Sequence, residues 1–179
     1  KICEQKKGEI TYTQAVEELN QFNIKAFAEL SRVRHETALK KVPAVVEQIV
    51  DMLETEKKLI VFAHHKDVID KIKSGLDAAK ISHVSLVGED SLEARQKAVD
   101  EFQNGDAQVF VGSLHAAGVG ITLTAASTVI FAELDWTPAI MSQAEDRAHR
   151  IGQKNQVLII HAVVDGSIDQ MLAEQLIKK

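Results

Sequence analysis

The run Gln143-Ala-Glu-Asp-Arg-Ala-His-Arg-Ile-Gly-Gln153 carries the side chains of this sequence best suited to hold an anion. Read as a helix of 3.6 residues per turn, it places Gln143, Arg147 and Arg150 at i, i+4 and i+7, on one face. Two guanidiniums and an amide so placed offer planar, always-charged forks that match phosphate oxygens. The same arginines would also suit a solvated face, paired with Glu145 or Asp146, because exposed ion pairs are common and weak. A second run, Gly112-Ser-Leu-His-Ala-Ala-Gly-Val-Gly-Ile-Thr-Leu-Thr-Ala-Ala126, follows an apolar stretch. Its small residues let backbone N–H groups approach a phosphate or ribose closely. Gly118 and Gly120 form G-x-G without the third glycine of a dinucleotide fingerprint. A tight strand-to-helix turn explains these glycines equally well.

Two further segments stand at strand ends. Ala63-His-His-Lys-Asp67 joins a strand to a helix N-terminus, a usual anion site, and Lys66 adds positive charge. His64 and His65 are neighbours and point to different sides of an extended chain, so a shared metal is not expected. His115, His149 and His161 have no partner at a metal-like sequence spacing, and no metal site is expected. Phe131-Ala-Glu-Leu-Asp-Trp-Thr-Pro138 brings the one tryptophan to a strand end. Trp136 suits core or edge packing, or a surface for nucleic acid or a second lobe. No G-x-x-x-x-G-K-[ST] loop occurs, nor a D-E-x-x box after a strand of the kind that holds Mg²⁺. The chain has arginines suited to a triphosphate but no means of cradling it.

These residues need elements to position them, and the hydrophobic pattern supplies a series. Thr13 to Lys41 is charged and helix-favouring, with apolar residues at Val16, Leu19, Phe22, Ala26 and Leu30; it reads as one or two helices needing a partner surface. Pro43 suits a first helical turn, and Val42, Val45, Val46, Ile49, Val50 and Leu53 follow helical spacing. Leu59–Ala63 is a continuous apolar run, the mark of a strand buried on both faces. A helix over 67–79 and a strand over 83–87 follow. Asp90 and Glu93 suggest a capping box for a helix reaching about Phe102 and stopping at Asn104-Gly105. Strands are expected at 108–112, 128–131 and 157–164. Thr137 and Pro138 open a helix ending near Gly152, and Ser167 with Gln170 caps a last one. Such alternation predicts an α/β fold, a mostly parallel sheet with helices on both faces. Ligands bind such sheets at the carboxyl ends of the strands, where the unusual residues cluster.

Composition limits the alternatives. The 179 residues suffice for one domain with a real core; 45% are hydrophobic and 26% charged. A net charge of −5 argues against a globally basic nucleic-acid binder, while leaving room for a local basic patch. A single cysteine, Cys3, allows no internal disulfide and no thiolate zinc cluster, which fits a reducing compartment. No apolar run reaches the ~18–20 residues of a membrane span, and no membrane partner is expected. Residues Lys1 to Gly8 lack the apolar core of a secretory signal. The absence of an initial Met reads as a piece of something longer.

From Gly112 to Gln153 the sequence closely resembles motifs V and VI of the SWI/SNF-related, helicase-like ATPases of helicase superfamily two. The ending R-x-H-R-I-G-Q separates these from the DEAD-box RNA helicases. The resemblance extends in order from Val42 to Lys179, with Val61-Phe-Ala-His-His65 as motif IV. Ala-His-His-Lys, Phe-Ala-Glu-Leu and Ala-Ala before Gly118 are similar to the HepA-related, annealing-helicase-like branch. Chromatin remodellers typically have A-G-G and W-N-P where Ala116-Ala117-Gly118 and Trp136-Thr137-Pro138 stand here. The resemblance implies a RecA-like second lobe over 42–179, preceded by a helical brace over 1–41. It implies ATP and Mg²⁺ in a cleft against an N-terminal RecA-like lobe, which would hold most of both. Arg147 and Arg150 fall on the motif VI arginines, Arg150 on the arginine finger, and Gln143 on a glutamine that orders the γ-phosphate site. Gly118 and Gly120 fall on the motif V turn at the nucleotide. Lys66, Ser113 and His115 are the residues expected at the backbone of double-stranded or forked DNA. Glu89-Asp90 replaces a Ser-Thr pair, and two carboxylates would repel a phosphate there. The implied activity is an ATP-driven DNA translocase or remodeller, with the lone lobe inactive. The alternative is an inactive RecA-like docking or regulatory module. Localisation would be nucleoid in a bacterium, which is favoured, or nuclear in a eukaryote.

Overall fold

The computed structural model describes residues 12–117 and 120–177. In chain order the elements are α1 (Tyr12–Met52), β1 (Leu59–Ala63), α2 (Lys66–Ala78), β2 (His83–Leu86), α3 (Leu92–Asn104), β3 (Val109–Ser113), α4 (Leu114–Ala117), β4 (Thr128–Phe131), α5 (Pro138–Glu145), β5 (Leu158–His161) and α6 (Ile168–Ile177). The five strands form one sheet in the order β2-β3-β1-β4-β5, every pairing parallel. The expected α/β architecture is therefore present, with β1 at its centre.

The pleat explains why β1 has no polar residue. Ile60 and Phe62 belong to one core, with Phe110, Val129 and Phe131 from neighbouring strands. Phe102 of α3, Met141 and Ala144 of α5 and Leu172 of α6 cover that face. Leu59, Val61 and Ala63 belong to the opposite core, with Val109, Val111 and Ile130. That face is covered by Ala38, Val42, Val45 and Ile49 of α1 and by Val68, Ile69, Ile72 and Leu76 of α2. Alternate residues thus feed two cores, and each fully buried Val, Leu, Ile or Phe contributes about 1.5–3 kcal/mol. Gly112 permits close approach in the first core: a Cβ there would meet the Phe62 and Phe110 rings at 2.9 Å.

Several local expectations change. Pro43 does not open a helix; it lies inside α1, which runs unbroken from Tyr12 to Met52. The buried positions Ala38, Val42, Val45 and Ile49 continue one helical stripe through the proline, and burial on the sheet outweighs the lost backbone bond. By compactness the chain divides into residues 1–36 and 37–179. Within the first unit, Leu19, Phe22, Ile24 and Phe27 are exposed. The cap of α3 is Ser91, whose Oγ accepts from the Ala94 N–H at 3.2 Å. Asp90 instead accepts from the Val87 N–H at 2.7 Å, and so shapes the loop before the helix. At α6 the expected pair does cap: Ser167 Oγ accepts from Asp169 N–H and Gln170 Oε1 from Gly166 N–H.

Strand β5 is shorter than expected, and α5 stops at Glu145 rather than near Gly152. A continued helix would spend the Arg147 carbonyl on the residue four further on. That carbonyl accepts instead from the Leu123 N–H at 2.9 Å. Tertiary bonding to the 120–126 segment draws the chain out of the helix.

Candidate functional site

Because α5 ends early, Gln143, Arg147 and Arg150 do not share a helix face. Gln143 is exposed on α5, while both arginines lie in the turns that follow. Other bonds bring the arginines to the glycine-rich segment. Arg150 Nη1 donates to the Ile121 carbonyl at 3.2 Å and to Thr122 Oγ1 at 2.8 Å, with the Gly120 carbonyl at 3.4 Å. The Arg147 guanidinium is half-buried. Burial first, then the Arg150 charge beside it, hold it below the ordinary guanidinium range, and Asp146 opposes this. Two like charges brought together, one of them partly stripped of water, favour a multiply charged anion.

Gln153 fastens the same region. Its Nε2 donates to the Ala126 carbonyl at 2.8 Å, with the Thr124 and Ala148 carbonyls at 3.4 Å. It thereby ties the end of the arginine segment to the glycine-rich one, a role its place at the end of the motif did not disclose. Gly120 takes φ +46°, a left-handed conformation that costs an L side chain about 1–2 kcal/mol. Gly118 lies outside the described residues.

The residues expected at DNA stand along the carboxyl edge of the sheet. Ser113 ends β3, is 9% exposed, and pairs in register with Ala63 at the end of β1. His115 is exposed on α4. Lys66 opens α2, and its Nζ meets Glu89 Oε2 at 2.6 Å. That pair is solvent-exposed, and Glu89 holds the Lys66 ammonium above its ordinary range. The acidic 89–90 loop thus competes directly for the lysine expected to touch a phosphate.

Between these residues lies a group that sequence spacing did not reveal. Glu133 and Asp135 follow β4 and are 2% and 6% exposed. Glu133 Oε2 accepts from the backbone N–H groups of His64 and His65, each at 2.8 Å. Its Oε1 meets His65 Nδ1 at 2.6 Å. His64 meets a different carboxylate: its Nδ1 lies 3.4 Å from Asp135 Oδ2, and its ring stands edge-on to His115 at 5.0 Å. The two adjacent histidines do not point to opposite sides as expected: their rings stand edge-on to each other at 4.7 Å, although each meets its own carboxylate. Trp136, next to Asp135, is 40% exposed.

Residues 40–152 match the helicase conserved C-terminal domain family. The chain is 40% identical over 137 residues to the SWI/SNF-related matrix-associated actin-dependent regulator of chromatin subfamily A-like protein 1 of Bos taurus. That alignment covers 76% of this chain and 15% of the relative. It is 38% identical over 152 residues to the human DNA annealing helicase and endonuclease ZRANB3, covering 84% of this chain and 14% of that protein. The chain therefore spans about one seventh of these relatives' lengths. Among solved structures, the C-terminal part of the Fun30 ATPase domain superposes with a TM-score of 0.67 at 30% identity, over 76% of this chain and 44% of that one. These relatives support the resemblance read from motifs IV to VI, and the parallel sheet is RecA-like. The expected leaning toward a bacterial source finds no support, since these two protein relatives are animal proteins. By the match over most of its length, this chain belongs to the helicase conserved C-terminal domain family.

Proposed function

We propose that this chain is the second ATPase lobe of an ATP-dependent translocase or remodeller of double-stranded or forked DNA. The observation that carries the reading is the joint placement of Arg147 and Arg150 against the 120–126 segment. The first lobe would cradle ATP with a P-loop. From this side Arg147 and Arg150 would stabilise charge on the transferring phosphoryl group, Arg150 as the arginine finger. Gln143, exposed one turn ahead, would reach the same phosphate after lobe closure. Gly118 and Gly120 would line the nucleotide, and Lys66, Ser113 and His115 would touch the DNA backbone, which positions without reading sequence. Division of the chain into a helical brace over 1–41 and the lobe over 42–179 is part of the same proposal. Among the described residues, the one group with metal-holding geometry is rich in nitrogen, unlike the oxygen set Mg²⁺ takes. The magnesium ion would therefore sit mainly with the first lobe. By analogy with the chromatin-named relative, the intact protein would work in a nucleus.

Arg150→Lys in the intact two-lobe protein tests this. Lysine keeps the charge and loses the fork. Arginine fingers supply about 10³–10⁵ in rate, so DNA-stimulated ATP turnover should fall by at least ~10²-fold. Thermal melting should hold, because the side chain is exposed and two of its three bonds go to carbonyls that lysine also reaches. Near-normal turnover with normal melting would remove Arg150 from the site. Loss of melting temperature together with activity would make it a structural clamp.

A further inference from the structure

We infer that His64, His115 and Asp135 form a binding site for a divalent transition metal of the zinc type, at the carboxyl edge of the sheet. The three residues come from consecutive places in the strand order: His64 follows β1, His115 lies just after β3, and Asp135 follows β4. Each offers one ligand atom, and these atoms lie within 4.8 Å of one another. One edge, His64 Nδ1 to Asp135 Oδ2, is 3.4 Å. A tetrahedral ion with ligands at about 2.0–2.1 Å has donor-to-donor edges of roughly 3.3–3.5 Å, so this edge is already the right length. His115 is exposed, so a turn of its ring would bring it toward the other two ligands.

The ligands are held from behind as metal ligands usually are. Asp135 Oδ1 accepts from the Thr137 N–H at 2.8 Å, which aims Oδ2 at His64. Its own N–H faces Met141 Sδ at 3.3 Å. Glu133 grips the backbone N–H of His64 and so fixes where that ring begins. Charge gives a second, independent reason. Two carboxylates, Glu133 and Asp135, are buried within three residues of each other, and imidazoles are the side chains facing them. Burying carboxylate charge is expensive without a cation, and a divalent ion here would offset it. Two nitrogens and one oxygen with an open fourth position select zinc, cobalt or nickel over magnesium or calcium. The side chain of His64 is 28% exposed, which leaves the ion a route from solvent. Once bound, it would clamp the ends of three adjacent strands beside Ser113. Metal binding at this edge is independent of ATP chemistry.

The test is titration of the metal-free 179-residue chain with Co²⁺, carried out on Cys3→Ser so that the thiol contributes nothing. The expected result is one equivalent of cobalt with tetrahedral visible bands, displaced by Zn²⁺, and a melting temperature raised by excess Zn²⁺. His115→Ala changes an exposed residue and should leave the fold intact by circular dichroism while weakening cobalt binding by at least ~10–100-fold. Asp135→Asn should do the same, and His149→Ala should change nothing. Absence of tetrahedral bands in the Cys3→Ser chain would overturn the proposal. So would bands that survive His115→Ala and Asp135→Asn.

Discussion

At the scale of single residues, the side chains with unusual surroundings sit beside the strand ends. His161 ends β5, half-buried, with its ring edge-on to Phe131 at 5.4 Å. Its Nε2 is buried without a hydrogen-bond partner among the described residues. Burial holds its pKa below the ordinary imidazole value. The unfolded chain, with a pKa of about 6.5, therefore takes up this proton more readily than the folded one. Where the unfolded state binds more protons, stability rises with pH. This contribution is present above about pH 6.5 and is lost on acidification below it. Urea unfolding from pH 7.5 to 5 should show a shallower decline for His161→Leu than for the parent chain. Equal slopes would mean that this imidazole does not couple folding to protons.

At the scale of elements, caps and ties decide where helices begin and what they hold. Ser91 caps α3, while Asp90 braces the preceding loop, and their loss should read out in different places. Ser91→Ala should cost about 1 kcal/mol and speed hydrogen exchange at the Ala94 amide. Asp90→Ala should speed exchange at Val87 and leave Ala94 protected. The reverse pattern would restore Asp90 as the cap. A stronger tie joins α1 to α6. Lys41 Nζ meets Asp169 Oδ2 at 2.5 Å and donates to the Ala162 carbonyl at 2.7 Å, with both side chains buried. Lys41→Met would strand a buried carboxylate, and losing one partner of such a pair costs about 3–5 kcal/mol. Chemical denaturation should show that loss, and Asp169→Leu added to Lys41→Met should recover part of it. A single mutant as stable as the parent would mean that the buried pair adds nothing to stability.

For the whole molecule, the balance of charge matters more than any one contact. The chain carries a net charge of −5, and Glu89 already engages Lys66 at the edge expected to meet DNA. Each phosphate neutralised contributes about −0.9 to the slope of log K against log salt. Duplex DNA binding by this chain should therefore be weak, with a slope of only about −2 to −4 in a filter-binding or anisotropy series. Glu89→Gln should strengthen it by freeing Lys66. A slope near zero, or a preference for one sequence, would contradict a backbone-contact role for this edge.

What could be read from sequence depended on the range of the forces involved. The run Leu59–Ala63 declares a strand buried on both faces because every residue in it must feed one of two cores, and β4 falls at the expected 128–131 for the same reason. The arginines of the 143–153 segment stand out through the R-x-H-R-I-G-Q pattern, since their types alone suit phosphate and a solvated face alike. Their arrangement was not legible. A bond from the Leu123 N–H to the Arg147 carbonyl, and the Gln153 amide reaching 124–126, end α5 early and rebuild the site from turns. Helical periodicity carries no trace of partners so distant in the chain. Pro43 misleads for a related reason: local rules place it at a helix start, while the sheet beneath Ala38, Val42, Val45 and Ile49 keeps the helix whole. His64, His115 and Asp135 are the clearest case. Their separation in sequence suggests nothing, and only the order β3-β1-β4 sets them side by side, because a parallel sheet gathers every strand's carboxyl end along one edge.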